Sequence, residues 1–130
     1  MTEKSAESPR ILIVEDEAIT RKALVYKFRL FKVVADESVN GKEALEKMKK
    51  QSYALILLDL RLPIKDGYQV LQEMKADLKL KNIPVWALSN LGQKEEIERA
   101  MALGCNEYFV KVNLNIDELV KKVLTSIGLC

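Results

Sequence analysis

The chain has 130 residues, 48% of them hydrophobic and 31% charged, with 21 basic against 19 acidic side chains and no histidine. That size and apolar content suit one compact domain with its own core. A net charge of +2 argues against a nucleic-acid or membrane-surface protein, and the lack of histidine argues against Ser-His-Asp or Cys-His catalysis and against zinc at Cys105 or Cys130.

Met1 to Pro9 is polar and lacks the apolar stretch of a signal peptide, so residues 1–9 read as a flexible tail before a domain over 10–130. No run approaches the ~20 apolar residues of a membrane span. Cys105 reads as a packed small thiol and Cys130 as a free terminal one, which fits a reducing, cytoplasmic setting.

Short apolar runs alternate with longer stretches of helical periodicity, predicting strand and helix in turn. Ile11 to Val14 is the first strand and stops at Glu15 and Asp16. The first helix runs from about Ala18 to Leu30, with Leu24, Phe28 and Phe31 on one face, and Lys32 to Ala35 is the second strand. Asn40 followed by Glu43 has the capping-box pattern and opens a helix with Leu45 and Met48 inward. Ala54 to Leu58, the third strand, stops at Asp59; Asp66 with Gln69 then opens a helix whose inner stripe is Val70, Leu71, Met74 and Leu78. Val85 to Leu88, with Trp86 in the core, stops at Ser89. Ile97, Ala100 and Met101 face inward on a shorter helix that Gly104 closes, while Lys94 to Arg99 is otherwise a solvated face. Tyr108 to Val110 stops at Lys111, and Asn115 with Glu118 opens a last helix that buries Val120, Val123, Leu124 and Ile127 before Gly128.

Strict alternation of five strands and five helices predicts a doubly wound α/β domain, because right-handed crossovers between parallel strands place helices on both faces. Ligands of such sheets bind beyond the carboxyl ends of the strands. Glu15, Asp16, Asp59, Ser89 and Lys111 all fall on that edge.

Three carboxylates within ~5 Å of one another repel by about 3 kcal/mol per pair at an effective dielectric near 20, so the edge asks for a cation. Magnesium suits it, since it takes oxygen ligands and needs no histidine. A carboxylate beside such an ion can attack phosphorus to give an acyl phosphate, with Lys111 and the Ser89 hydroxyl binding phosphoryl oxygens. Each residue also has an ordinary reading: Glu15 as a solvated turn residue, Asp16 as the first helix's N-cap, Lys111 as an exposed charge, Tyr108 as a half-buried strand aromatic. Their joint spacing with Asp59 favours the site.

ILIVEDE at 11–17, LILLDLRLPIKDG at 55–67, IPVWALSN at 83–90 and GCNEYFVK at 104–111, in this order and spacing, resemble the receiver domains of two-component response regulators. The resemblance implies a flavodoxin-like (βα)5 sheet of strand order 2-1-3-4-5 and a phosphoacceptor at Asp59. It further implies Mg2+ held by Glu15, Asp16, Asp59 and the backbone carbonyl of Arg61, catalytic support from Lys111 and Ser89, and switch roles for Ser89 and Tyr108. The chain then reads as a stand-alone cytoplasmic response regulator rather than an enzyme. It would take its phosphoryl group from a sensor histidine kinase or phosphotransfer protein. The altered surface, the fourth helix, fifth strand and fifth helix, would meet a downstream target protein or a second copy, with no nucleic acid or membrane involved.

The chain departs from the family pattern at several points. Val112 replaces the proline that commonly follows the lysine, so a trans peptide is expected there. Asn90 and Arg61 flank the phosphoryl site, where the Asn90 amide can crowd or hydrogen-bond the group and the Arg61 guanidinium can screen it from water. The common glycine before the second strand is missing, and the segment from Asp36 to Asn40 is about one residue longer than is usual in the family. Two other readings stay open: a degenerate receiver acting as a phosphorylation-independent interaction module, motivated by Val112 and Asn90, and a haloacid dehalogenase type phosphohydrolase. The latter needs a second aspartate where Arg61 stands.

Overall fold

The computed structural model describes residues 9–90 and 92–129. Most of the expected tail, and Cys130, lie outside the described residues; Pro9, assigned to the tail, has its carbonyl bound by the Val34 N–H at 2.8 Å. Five strands, β1 (Arg10–Val14), β2 (Val34–Ser38), β3 (Leu55–Asp59), β4 (Val85–Ser89) and β5 (Glu107–Val110), alternate with α1 (Ala18–Leu30), α2 (Gly41–Lys50), α3 (Gly67–Lys75), α4 (Lys94–Ala102) and α5 (Ile116–Ser126). The strands pair in parallel in the order β2-β1-β3-β4-β5, as expected.

Side chains of a strand alternate between faces, and here both faces are apolar, which is why the central runs are greasy throughout. Leu12, Val14, Ile56, Leu58 and Ala87 pack with Ala44 and Met48 of α2 and Val70, Leu71 and Met74 of α3. On the opposite face Ile11, Ile13, Leu55, Leu57 and Trp86 pack with Leu24 and Phe28 of α1 and Val120 and Val123 of α5. Each such fully buried side chain contributes about 1.5–3 kcal/mol, and a truncation such as Leu57→Ala costs about 3 kcal/mol. Cys105 is buried among the first group, as its packed-thiol reading expected.

Three helices end alike. α4 closes at Gly104 (φ 104°), with Cys105 N–H on Ala100 O and Gly104 N–H on Met101 O; α5 closes at Gly128 (φ 87°) with the equivalent pair of bonds. α1 makes the same paired closure, Val33 to Phe28 and Lys32 to Arg29, but with Lys32 at φ 63° where glycine is the unstrained choice.

That closure corrects the second strand. Lys32 and Val33 are consumed by the turn, so β2 starts at Val34 and takes in Asp36, Glu37 and Ser38, residues read from sequence as a long loop. Three expected core residues are exposed instead: Phe31 caps α1 and points outward, Leu78 lies beyond the end of α3 at Lys75, and Met101 sits on the outer side of α4. Leu80 is buried where Leu78 was expected. The Asp66–Gln69 capping box is complete; Asn40 and Asn115 each cap with their side chain, but Glu43 reaches the Val39 N–H rather than that of Asn40.

Candidate functional site: an acidic pocket at the carboxyl edge of the sheet

β1 hands the chain to Glu15, which is fully buried, and then to Asp16, which is exposed. The Glu17 N–H donates to Glu15 Oε2 at 3.0 Å. Glu17, not Asp16, is the N-cap of α1, and it makes no side-chain cap. Asp59 closes β3 and is 4% exposed. Its Oδ1 accepts from the Arg61 N–H at 3.0 Å and its Oδ2 from Lys111 Nζ at 2.9 Å. The same ammonium lies 2.5 Å from Glu15 Oε1. All peptide bonds among the described residues are trans, and a short 3-10 turn over Lys111–Asn113, in which Val112 is exposed, carries the lysine inward.

One carboxylate oxygen each from Glu15, Asp16 and Asp59 lies within 4.8 Å of the other two. Burial raises the Glu15 carboxyl to about 7, with Asp59 adding to the rise, and together they outweigh the Lys111 ammonium and the Glu17 N–H. Burial alone would lower Lys111, but its two carboxylate partners raise it, so it keeps its proton. Two buried acids and an exposed third, sharing one ammonium, form a hard oxygen donor set with charge to spare. That set fits magnesium, which takes carboxylate oxygens and keeps several waters.

Ser89 is fully buried at the end of β4 and makes a side-chain hydrogen bond with Tyr108, which is half-buried on β5. Burial raises the Tyr108 phenol, the Ser89 bond pulls it down, and the Glu96 carboxylate raises it again. Asn90 and the Arg61 side chain are exposed beside the pocket. The loop after Asp59 is strained: Lys65 N–H bonds Pro63 O at 2.7 Å around Ile64, a β-branched residue at φ 68°. Gly67 then lets α3 sit directly on the phosphoacceptor candidate, since a Cβ there would lie 2.6 Å from the Asp59 carbonyl oxygen.

Two supports were missed in the sequence. Arg21 Nη1 donates to the Glu15 carbonyl at 3.0 Å while its Nε pairs with Glu37 at 2.9 Å, bracing the acidic turn from α1. Tyr68 of α3 donates to Glu96 of α4 at 3.1 Å beneath the Arg99 guanidinium, 3.9 Å from its ring. An arginine in the first turn of the helix that follows an acidic pair was a usable signal for the first; nothing local marked the second.

The family model described as "Response regulator receiver domain" matches residues 11–124. The chain belongs to that family. This receiver is 29% identical over 119 residues to a gliding motility regulatory protein of Myxococcus xanthus, covering 92% of this chain but 15% of that protein. Its structure superposes with a TM-score of 0.84 on a Francisella response regulator receiver domain, at 27% identity and with 92% and 97% of the two chains covered. A Pseudomonas aeruginosa sensor histidine kinase receiver, with magnesium coordinated in its active-site cleft, gives a TM-score of 0.83 at 27% identity over 93% and 98%.

Proposed function

We propose that this receiver accepts a phosphoryl group on Asp59 from a sensor histidine kinase or phosphotransfer protein and then presents an altered surface to a target. The observation that carries the reading is the Asp59 carboxylate, held by Lys111 at 2.9 Å within the triangle of acidic oxygens. An Asp59 carboxylate oxygen attacks phosphorus in line through a lone pair that the Arg61 N–H and Lys111 leave open. The new O–P bond forms as the P–N bond to the donor imidazole breaks, the electron pair leaving with an imidazole protonated at its other nitrogen. Lys111 donates to one phosphoryl oxygen and Ser89 to another. Mg2+ bound by Glu15, Asp16, Asp59 and the Arg61 carbonyl would neutralise charge on the transferring group.

The switch follows from Ser89 having one O–H to give. The Ser89 hydroxyl is hydrogen-bonded to Tyr108, so turning its proton to a phosphoryl oxygen disturbs that bond and frees the ring and α4 to move. For the donor, α1 offers an apolar stripe leading away from the pocket: Ile19 is 85%, Tyr26 63% and Leu30 57% exposed, at helical spacing on one side. α4, β5 and α5 remain the proposed surface for a target or second copy, and the setting proposed is cytoplasmic, without turnover chemistry.

Incubation with phosphoramidate and magnesium should label the parental protein once and Asp59→Asn not at all, read by intact mass. A folded parental protein that takes no label would defeat the proposal. Such a result, with magnesium bound weakly or not at all, would leave the phosphorylation-independent module, against which the direct Lys111 to Asp59 contact weighs. Multiple turnover of a phosphate ester would revive the hydrolase.

A further inference from the structure

At the end of the sheet opposite the acidic pocket, two clefts of about 420 and 340 Å³ meet at Lys50, Gln51 and Tyr53. Met48, Leu80 and Ile83 line the second cleft, Ala35 and Tyr53 the first, and the walls carry Arg29, Lys47, Lys49, Lys50 and Lys79. Among the described residues, the carboxylates lining them are Asp36 and Glu37, and both are taken. Asp36 holds Arg10 at 3.0 Å and the Tyr53 hydroxyl at 2.7 Å, and Glu37 holds Arg21 at 2.9 Å and Lys22 at 3.0 Å. Among the described residues, Arg29, Lys49, Lys50 and Lys79 have no carboxylate within 4.0 Å.

Cations in the last turns of α1 and α2 are expected, because a helix end carries about half a negative charge. Two such ends balance about one unit, against the four cations here without a carboxylate partner, and Lys79 lies in the loop after α3 rather than on a helix. We infer that this groove binds an acidic, partly apolar peptide segment of a partner protein, its carboxylates on the lysine walls and its apolar side chains against Met48, Leu80 and Ile83. A concave cleft suits an extended peptide better than a flat bilayer. It also offers no base-stacking ring, since Tyr53 is 7% exposed with its hydroxyl engaged.

The test is a titration of the 15N-labelled chain with a synthetic peptide alternating glutamate and valine, set beside an oligonucleotide of equal charge and vesicles rich in anionic lipid. The expected result is a set of amide shifts confined to Arg29, Lys47–Tyr53 and Lys79–Ile83, weakened by salt, with Lys50→Glu/Lys79→Glu binding the peptide about tenfold less tightly. These lysines are exposed, so the variant keeps its fold, which an unchanged circular dichroism spectrum verifies. Shifts scattered over all basic residues, unchanged affinity in the variant, or tighter binding of the oligonucleotide or vesicles would overturn the inference. Phosphoramidate labelling of Asp59 is read separately, so loss of one result leaves the other standing.

Discussion

The Lys111 ammonium lies closer to Glu15, at 2.5 Å, than to Asp59, at 2.9 Å. One lysine therefore compensates a buried acid that has little access to water and, at the same time, the residue proposed to carry phosphate. Lys111→Met should strand Glu15 and cost about 3 kcal/mol in metal-free protein above neutral pH. Glu15 is raised from 4.5 to about 7 in the fold, so the folded state binds the extra proton between those values and metal-free stability falls as pH rises through that window. The variant's deficit should therefore shrink below neutral pH, where Glu15 is protonated. Urea unfolding in chelator on both sides of pH 7 measures it, and a deficit independent of pH would show that Lys111 does not serve Glu15.

Magnesium should stabilise the chain. An excess of about tenfold over its Kd adds about 1.4 kcal/mol, seen as a rise in Tm that chelator reverses. Asp16→Ala, at an exposed position, should leave the metal-free Tm unchanged and abolish most of the rise.

Tyr108→Phe removes the hydroxyl that is hydrogen-bonded to Ser89 and leaves Ser89 free to donate to a bound phosphoryl mimic. Affinity for beryllofluoride with magnesium should rise by about fivefold, the worth of one neutral hydrogen bond. Isothermal titration reads this directly; weaker binding would mean that Tyr108 helps Ser89 rather than restraining it.

Asp36 lies below its ordinary 3.8. Burial alone would raise it, but hydrogen bonds from Tyr53 and Arg10 more than offset that. A depressed carboxyl lends stability above its unfolded value and loses it as pH falls through the folded one. Asp36→Asn should cost about 1 kcal/mol at neutral pH, with the gap to the parent closing in acid below 3.8. Paired denaturation curves across that range decide the matter.

Lys32→Gly should stabilise the protein by about 1 kcal/mol, because the α1 closure demands a left-handed residue. Gly104→Ala, at the same place on α4, should lose a similar amount. Opposite shifts in the urea midpoint are the expected pair.

The site was legible because each strand's apolar run breaks at its functional residue: burial on both faces makes β1, β3 and β4 read as unbroken grease until Glu15, Asp59 and Ser89. β2 was displaced because it is an edge strand whose polar residues are held by Arg10 and Arg21, long-range partners that no local pattern shows. Leu78 was misplaced for a related reason. α3 stops at Lys75, and the turns after it, not the helical stripe, decide that Leu80 goes inward. The burial of Glu15, and its dependence on Lys111, follow from packing across the chain and have no signature in either segment alone.

Lys47 donates to the Glu37 carbonyl on β2, one of the outermost backbone acceptors of the sheet. In a parallel ladder alternate residues of an edge strand turn their amides away from the neighbour. With Ser38 O bound to Glu15 N, it is Ala35 and Glu37 that face outward. An incoming strand from another molecule would thus find one of only two outward carbonyls already occupied, and by a cation. Stacking of copies edge to edge into fibrils is disfavoured at this edge of the sheet.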